Sequence, residues 1–174
     1  MLYIMFIITL FLITLRLIFN ILKSRIMSIS KMKVSAKMGA GFSTNINCSH
    51  PFIIDQPKMA GGNDEGPNPL EIFLSSLPAC ICAIGRIIAN QRRINLRGIE
   101  VEVEGDIDKD FLMGKTTEGR AGFTEIRSFV HFDADLTKTE KDTLLKEIAF
   151  RCPIADNMIF TSVVIPSVVE KLLV

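Results

Sequence analysis

The chain has 174 residues, enough for one domain with a sizeable core. Its formal net charge is +1, with no Trp, one Tyr and no basic–aromatic run, so nothing points to nucleic acid or a strongly charged partner. The four cysteines, Cys48, Cys80, Cys82 and Cys152, are even in number, but the chain is too long and core-rich for a disulfide-scaffold mini-protein.

Residues 2–22, LYIMFIITLFLITLRLIFNIL, are about long enough to cross a bilayer and are followed by Lys23 and Arg25. Three readings are open: a membrane anchor, a targeting segment, or an upstream stretch that is not translated because Met27 or Met32 starts the protein. An anchor would leave the rest of the chain on the cytoplasmic side. In every case residues 1–26 stand apart from a globular domain over 27–174. MKVSAK and FSTNIN, either side of Gly39 and Gly41, read as two strands, and PFIID as a short third. Gln56 to Asn68 reads as a glycine- and proline-bearing loop.

A long apolar helix is expected from about Pro69 to Arg92, with Pro69 in the first turn, where a missing N–H costs nothing. Pro78 does not suit a helix interior, because it removes a donor and crowds the carbonyl of Leu74. A strand starting at Gly98 alternates Ile99, Val101 and Val103 with Glu100, Glu102 and Glu104, so one face is buried and the other wet. Gly105 to Gly122 reads as a polar excursion, and Phe123 to Phe132 as the next strand. Thr137 and Glu140 form a capping box for a helix over Lys138 to Arg151, with Leu144, Leu145 and Ile148 on its apolar side. Pro153 ends or restarts that helix, and Thr161 to Ile165 forms a last strand. The order is α+β rather than a regular βαβ alternation.

Two motifs carry a family resemblance. GPNPLEIFLSSLPAC, residues 66–80, resembles the start of the central helix of the OsmC/Ohr family of thiol-dependent organic hydroperoxide reductases. Arg151-Cys152-Pro153-Ile154 resembles the family's second Cys-Pro motif. The similarity covers roughly residues 31 to 165. It implies two antiparallel sheets, six strands in all, around long central helices, in an intertwined homodimer with its active sites at the subunit interface. It also implies a cytoplasmic protein without a bound cofactor, acting on organic hydroperoxides and re-reduced by a dithiol such as a lipoylated protein.

The resemblance makes Cys80 the attacking thiol and Cys152 the resolving thiol. Cys82 lies about 200° from Cys80 around the helix and reads, with Cys48, as a packing residue. The family activates its thiolate with an arginine and a glutamate, and Glu71 is the candidate here, displaced by one position from the Ohr pattern. The arginine expected from the early strands is missing from Lys31 to Ile54, leaving Lys37, Arg86 and Arg151 as other cations. Lysine is not equivalent to the planar arginine fork. Cys48 with His50, or Cys80 with Cys82, would give only half of a zinc site. His50 and His131 have no catalytic pattern around them, and Gly61-Gly62 reads as loop-shaping rather than as a phosphate cradle. Three functions follow: a thiol peroxidase, a thiol-redox protein of the same fold without peroxidase turnover, or a non-catalytic dimer binding a small apolar ligand.

Overall fold

The computed structural model describes residues 29–160. The expected strand over Thr161–Ile165 and the apolar segment over 2–22 lie outside them. The described residues form an α+β fold with two antiparallel sheets and central helices.

The first sheet is a meander of β1 (Ser35–Met38), β2 (Thr44–Asn47) and β3 (Phe52–Ile54). Its register puts Ala36 opposite Ile46 and Ile46 opposite Phe52, so one face of the sheet is mostly apolar. No residue of these strands is fully buried.

A loop over 55–68, with one 3₁₀ turn at Lys58–Ala60, leads into α1 (Pro69–Arg92). Asn68 caps α1: its side-chain oxygen accepts the N–H groups of Leu70 and Glu71, while Glu71 accepts the N–H of Asn68 at 2.8 Å. This capping box satisfies donors that the helix start leaves orphaned. The helix runs on through Pro78 for 24 residues. It ends at Arg93, which takes the left-handed conformation without being glycine.

The second sheet pairs β4 (Leu96–Ile107) with β5 (Phe123–Ala134). Both strands run further than their alternation suggests, and the excursion between them shrinks to Asp108–Gly122. It contains α2 (Lys109–Leu112), a single turn capped by Asp108. Ile99, Val101 and Val103 pack on the core as expected, while Glu104 on the wet face meets Arg127.

After β5 come α3 (Lys138–Arg151), with the Thr137–Glu140 capping box, and α4 (Pro153–Ile159). Pro153 therefore restarts a helix. The core is built from α1, β4, β5 and α3 and includes Ile88, Leu144, Ile148 and Cys152. Gly85 lets these elements approach. A Cβ there would lie 2.5 Å from Ile99 Cδ1 and 3.2 Å from Ile148 Cδ1.

Candidate functional site

Cys80 sits on α1 just past Pro78 and is half-buried. Cys152 is the residue between α3 and α4: it closes the first helix and caps the second. Pro153 makes this junction abrupt, because it suits the first position of α4. The Cys152 sulfur accepts the N–H of Ala155 at 3.4 Å and is fully buried.

These two cysteines, 72 residues apart in the chain, have their sulfur atoms 2.8 Å apart, and both are free thiols. The pair sits at the corner where α1 meets the α3–α4 junction. A disulfide needs its sulfurs to close to about 2.05 Å, so little movement separates the dithiol from a bonded pair. Burial pushes the Cys80 thiol above its ordinary value, and the neighbouring Cys152 sulfur adds to the effect. The N–H of Ile154 works in the opposite direction. In the reduced state Cys80 is therefore mostly protonated at neutral pH.

The other two cysteines are apart from this pair. Cys82 points its thiol toward the carbonyl of Ile99 on β4, 3.9 Å away. Cys48 donates to the carbonyl of His50 at 3.1 Å on an exposed loop. Among the described residues no group of three or more His, Cys, Asp or Glu could hold a metal ion.

The remaining candidates are engaged elsewhere. Glu71 occupies the capping box of α1. Arg86 donates to the carbonyl of Leu96, and Arg151 to Gln91 and Glu147. Glu147 also pairs with Arg92, which ties the end of α1 to α3. Lys37 is exposed on β1, and His131 is exposed on β5 opposite Glu100.

Two features had no clear signal in the sequence. The first is Asp55, a buried carboxylate that accepts the N–H groups of Gln56, Asn63 and Glu65 at 2.8, 2.9 and 3.3 Å. It pins the loop that precedes α1. Gly61 takes a left-handed turn there, and a Cβ on Gly62 would lie 1.9 Å from the carbonyl oxygen of Gln56. The glycine pair thus shapes this loop, and Asp55 holds that shape.

The second is an open groove of about 1120 Å³ between α1, β5, α3 and α4. Phe73, Leu77 and Ile81 line it from α1, and Phe123 stacks on Phe73 with ring centroids 5.8 Å apart. Leu77 and Ile81 bracket Cys80, while Ala149 and Ala155 bracket Cys152, so the groove runs beside the thiol pair.

A model of the OsmC-like protein family matches residues 61–166, which carry the whole dithiol corner. The chain belongs to the OsmC/Ohr family. An uncharacterised protein of Methanocaldococcus jannaschii is 26% identical over 98 residues, covering 56% of this chain and 48% of that protein. The chain thus matches about half the length of that relative. The crystal structure of an OsmC-like protein from Mycoplasma pneumoniae superposes with a TM-score of 0.66 at 22% identity, over 78% of this chain and 91% of that one. An organic hydroperoxide resistance protein OsmC from Legionella pneumophila gives 0.57 at 19% identity, over 76% and 91%. At these identities the superpositions establish the fold. Family membership and the close cysteine pair together support a redox-related role.

Proposed function

We propose that the protein reduces organic hydroperoxides with Cys80 as the attacking thiol and Cys152 as the resolving thiol. The observation that carries this reading is the 2.8 Å approach of the two sulfurs. The Cys80 thiolate attacks one peroxide oxygen; the O–O bond breaks, and the other oxygen leaves as an alkoxide that takes a proton to become the alcohol. Cys80 is then a sulfenic acid. The Cys152 thiol attacks that sulfur, water leaves and a disulfide forms, which prevents further oxidation. An external dithiol, such as a lipoylated protein, restores both thiols by exchange and is itself oxidised to a disulfide. This chemistry suits a reducing compartment such as the cytoplasm.

The working unit in this proposal is a homodimer. The apolar face of the β1–β3 sheet, with Met38 and Phe52 exposed, gains cover from a second copy. Glu71 acts through position, holding the start of α1 so that the thiol corner keeps its register.

The thiol-redox alternative has two observations in its favour: Arg86 and Arg151 are engaged elsewhere, and Cys80 is pushed toward its protonated form. One experiment separates the readings. Consumption of cumene hydroperoxide with a dithiol reductant is measured for the unmutated protein, Cys80→Ser and Cys152→Ser. Cys80→Ser is expected to lose essentially all turnover. Cys152→Ser is expected to react once and leave a dimedone-trappable sulfenic acid on Cys80. In the unmutated protein, peptide mapping should find Cys80 joined to Cys152. A disulfide through Cys48 or Cys82 would overturn the assignment, and a slow air-formed Cys80–Cys152 disulfide without turnover would favour the redox reading.

A further inference from the structure

We infer that the polar face of the β1–β3 sheet docks on the anionic surface of a lipid membrane. The inference goes beyond the peroxidase reading and does not rest on it. The formal net charge of +1 hides an uneven distribution. All 19 Asp and Glu residues lie from Asp55 onward, so the chain before Asp55 carries only positive charge, on Arg16, Lys23, Arg25, Lys31, Lys33 and Lys37. Lysines further along sit among acids, as Lys109 does between Asp108 and Asp110, and Lys141 between Glu140 and Asp142.

The fold puts part of this charge on an open face. Side chains alternate along β1, so Ser35 and Lys37 point to one side of the sheet and Ala36 and Met38 to the other. The register sets Asn47 beside Ser35 and Asn45 beside Lys37. Lys37, Asn45 and Asn47 are exposed, as are Lys31 and Lys33 just ahead of the strand. None of the three lysines has an ion pair among the described residues. Ala36, Ile46 and Phe52 lie on the opposite side, the one assigned above to a second copy, so the two occupants take different faces.

The chemistry of the partner follows from what accompanies the lysines. Ile29, Met32 and Val34 are exposed beside and between them, at 83, 90 and 62%. A bilayer interface takes both kinds of group, since lysine heads reach the phosphates while apolar side chains sink below them. A polynucleotide offers the charge without the apolar layer, and it is gripped best by arginine forks and aromatic stacking. No arginine lies between Lys31 and Ile54. Each lysine adds a small attraction that salt screens, so the docking is reversible and strongest at low ionic strength. Residues 2–22, apolar and long enough to cross a bilayer, precede the basic run, and the same lysines meet the headgroups whether or not that segment inserts.

The test uses the full chain with vesicles of phosphatidylcholine alone, or with a third of the lipid replaced by phosphatidylglycerol. Reactivity of each lysine toward an acetylating reagent is read by mass spectrometry. Anionic vesicles at low salt should protect Lys31, Lys33 and Lys37 about tenfold. Neutral vesicles should not protect them, and high salt should expose them again. Lys109, Lys138 and Lys146 should stay reactive throughout. In Lys33→Gln/Lys37→Gln the protection of Lys31 should be largely lost, and Lys33→Arg/Lys37→Arg should keep it.

Equal reactivity on the two kinds of vesicle overturns the inference, as does protection spread evenly over all lysines. Protection without lipid that grows with protein concentration also overturns it and gives this face to a second copy. Protection by polyuridylate but not by anionic vesicles overturns it in favour of a nucleic acid. Turnover of cumene hydroperoxide is unaffected by any of these results, so the peroxidase reading stands or falls separately.

Discussion

The two sheets of this protein stand in different relations to the rest of the chain. The β4–β5 ribbon lies against α1 and α3, and every residue of the core comes from those four elements or from Cys152 at the helix junction. The β1–β3 sheet contributes no residue to that core, and it leaves Met38, Phe52 and Ile53 exposed. It is tied to the loop before α1 by contacts such as the Ser43 hydroxyl on Glu65. The difference separates two tasks. The packed region fixes two thiols to within an ångström of bonding distance, which requires rigid walls. The open sheet keeps its apolar face for something other than its own core, and in our proposal that is a second copy.

The largest expected effect of breaking this contrast lies in the packed region. Ile148 is fully buried on α3, one turn before Cys152, and touches the groove. Ile148→Ala should cost about 2–5 kcal/mol in chemical denaturation. It should also slow formation of the Cys80–Cys152 disulfide, because the wall that sets the approach is loosened. A loss below 1 kcal/mol would mean that the core does not hold the thiol corner in place.

The rigid thiol corner also sets a pH dependence. Burial and the neighbouring sulfur raise Cys80 above 9.0, its ordinary value. The thiolate is the reactive form, so its fraction grows as pH rises toward the raised value. Alkylation of reduced Cys80 by iodoacetamide should therefore climb about tenfold per pH unit through neutrality, and still be rising at pH 9. A rate that levels off near pH 7 would place a cation beside Cys80 that none of Lys37, Arg86 and Arg151 supplies here.

The open sheet predicts the reverse pattern. Phe52→Ser should change the unfolding free energy of the isolated chain by no more than about 0.5 kcal/mol, as for an ordinary surface position. Its effect should appear in association, as a dimer that dissociates at higher protein concentration in sedimentation. An unchanged dimer would break the proposed link between this face and a second copy.

The smallest effect is at the loop that joins the two regions. Burial alone would raise the Asp55 carboxyl, but its backbone N–H partners hold it below 3.8, its ordinary value. A carboxylate lowered in the folded state adds stability above its unfolded value, and that stability is lost as pH falls through the folded value. Limited proteolysis within residues 56–67 should therefore stay slow at neutral pH and accelerate below about pH 4. Asp55→Asn should be cut faster at neutral pH and lose that acid dependence.

Much of this protein was legible in its sequence, where the signals were local. Pro69 announced the first turn of α1, and Thr137 with Glu140 announced α3, because such signals are made by residues no more than three apart. Alternation of Ile99, Val101 and Val103 with glutamates announced β4, because a strand sorts its faces every second residue. The two cysteine motifs announced the family and both thiols of the candidate pair.

What the sequence did not contain was any relation between distant positions. Nothing local links Cys80 to Cys152 at 2.8 Å; that distance arises where α1 meets the α3–α4 junction. Nothing near Asp55 signals a buried acid, since its partners lie up to ten residues away on a folded loop. Phe73 and Phe123 read in the chain as two unrelated apolar positions. Only the packing of β5 against α1 stacks them in the wall of an apolar groove. Caps and alternation are written by neighbours in the chain. Burial, reach and the compensation of charge are written by neighbours in space, which only the folded structure supplies.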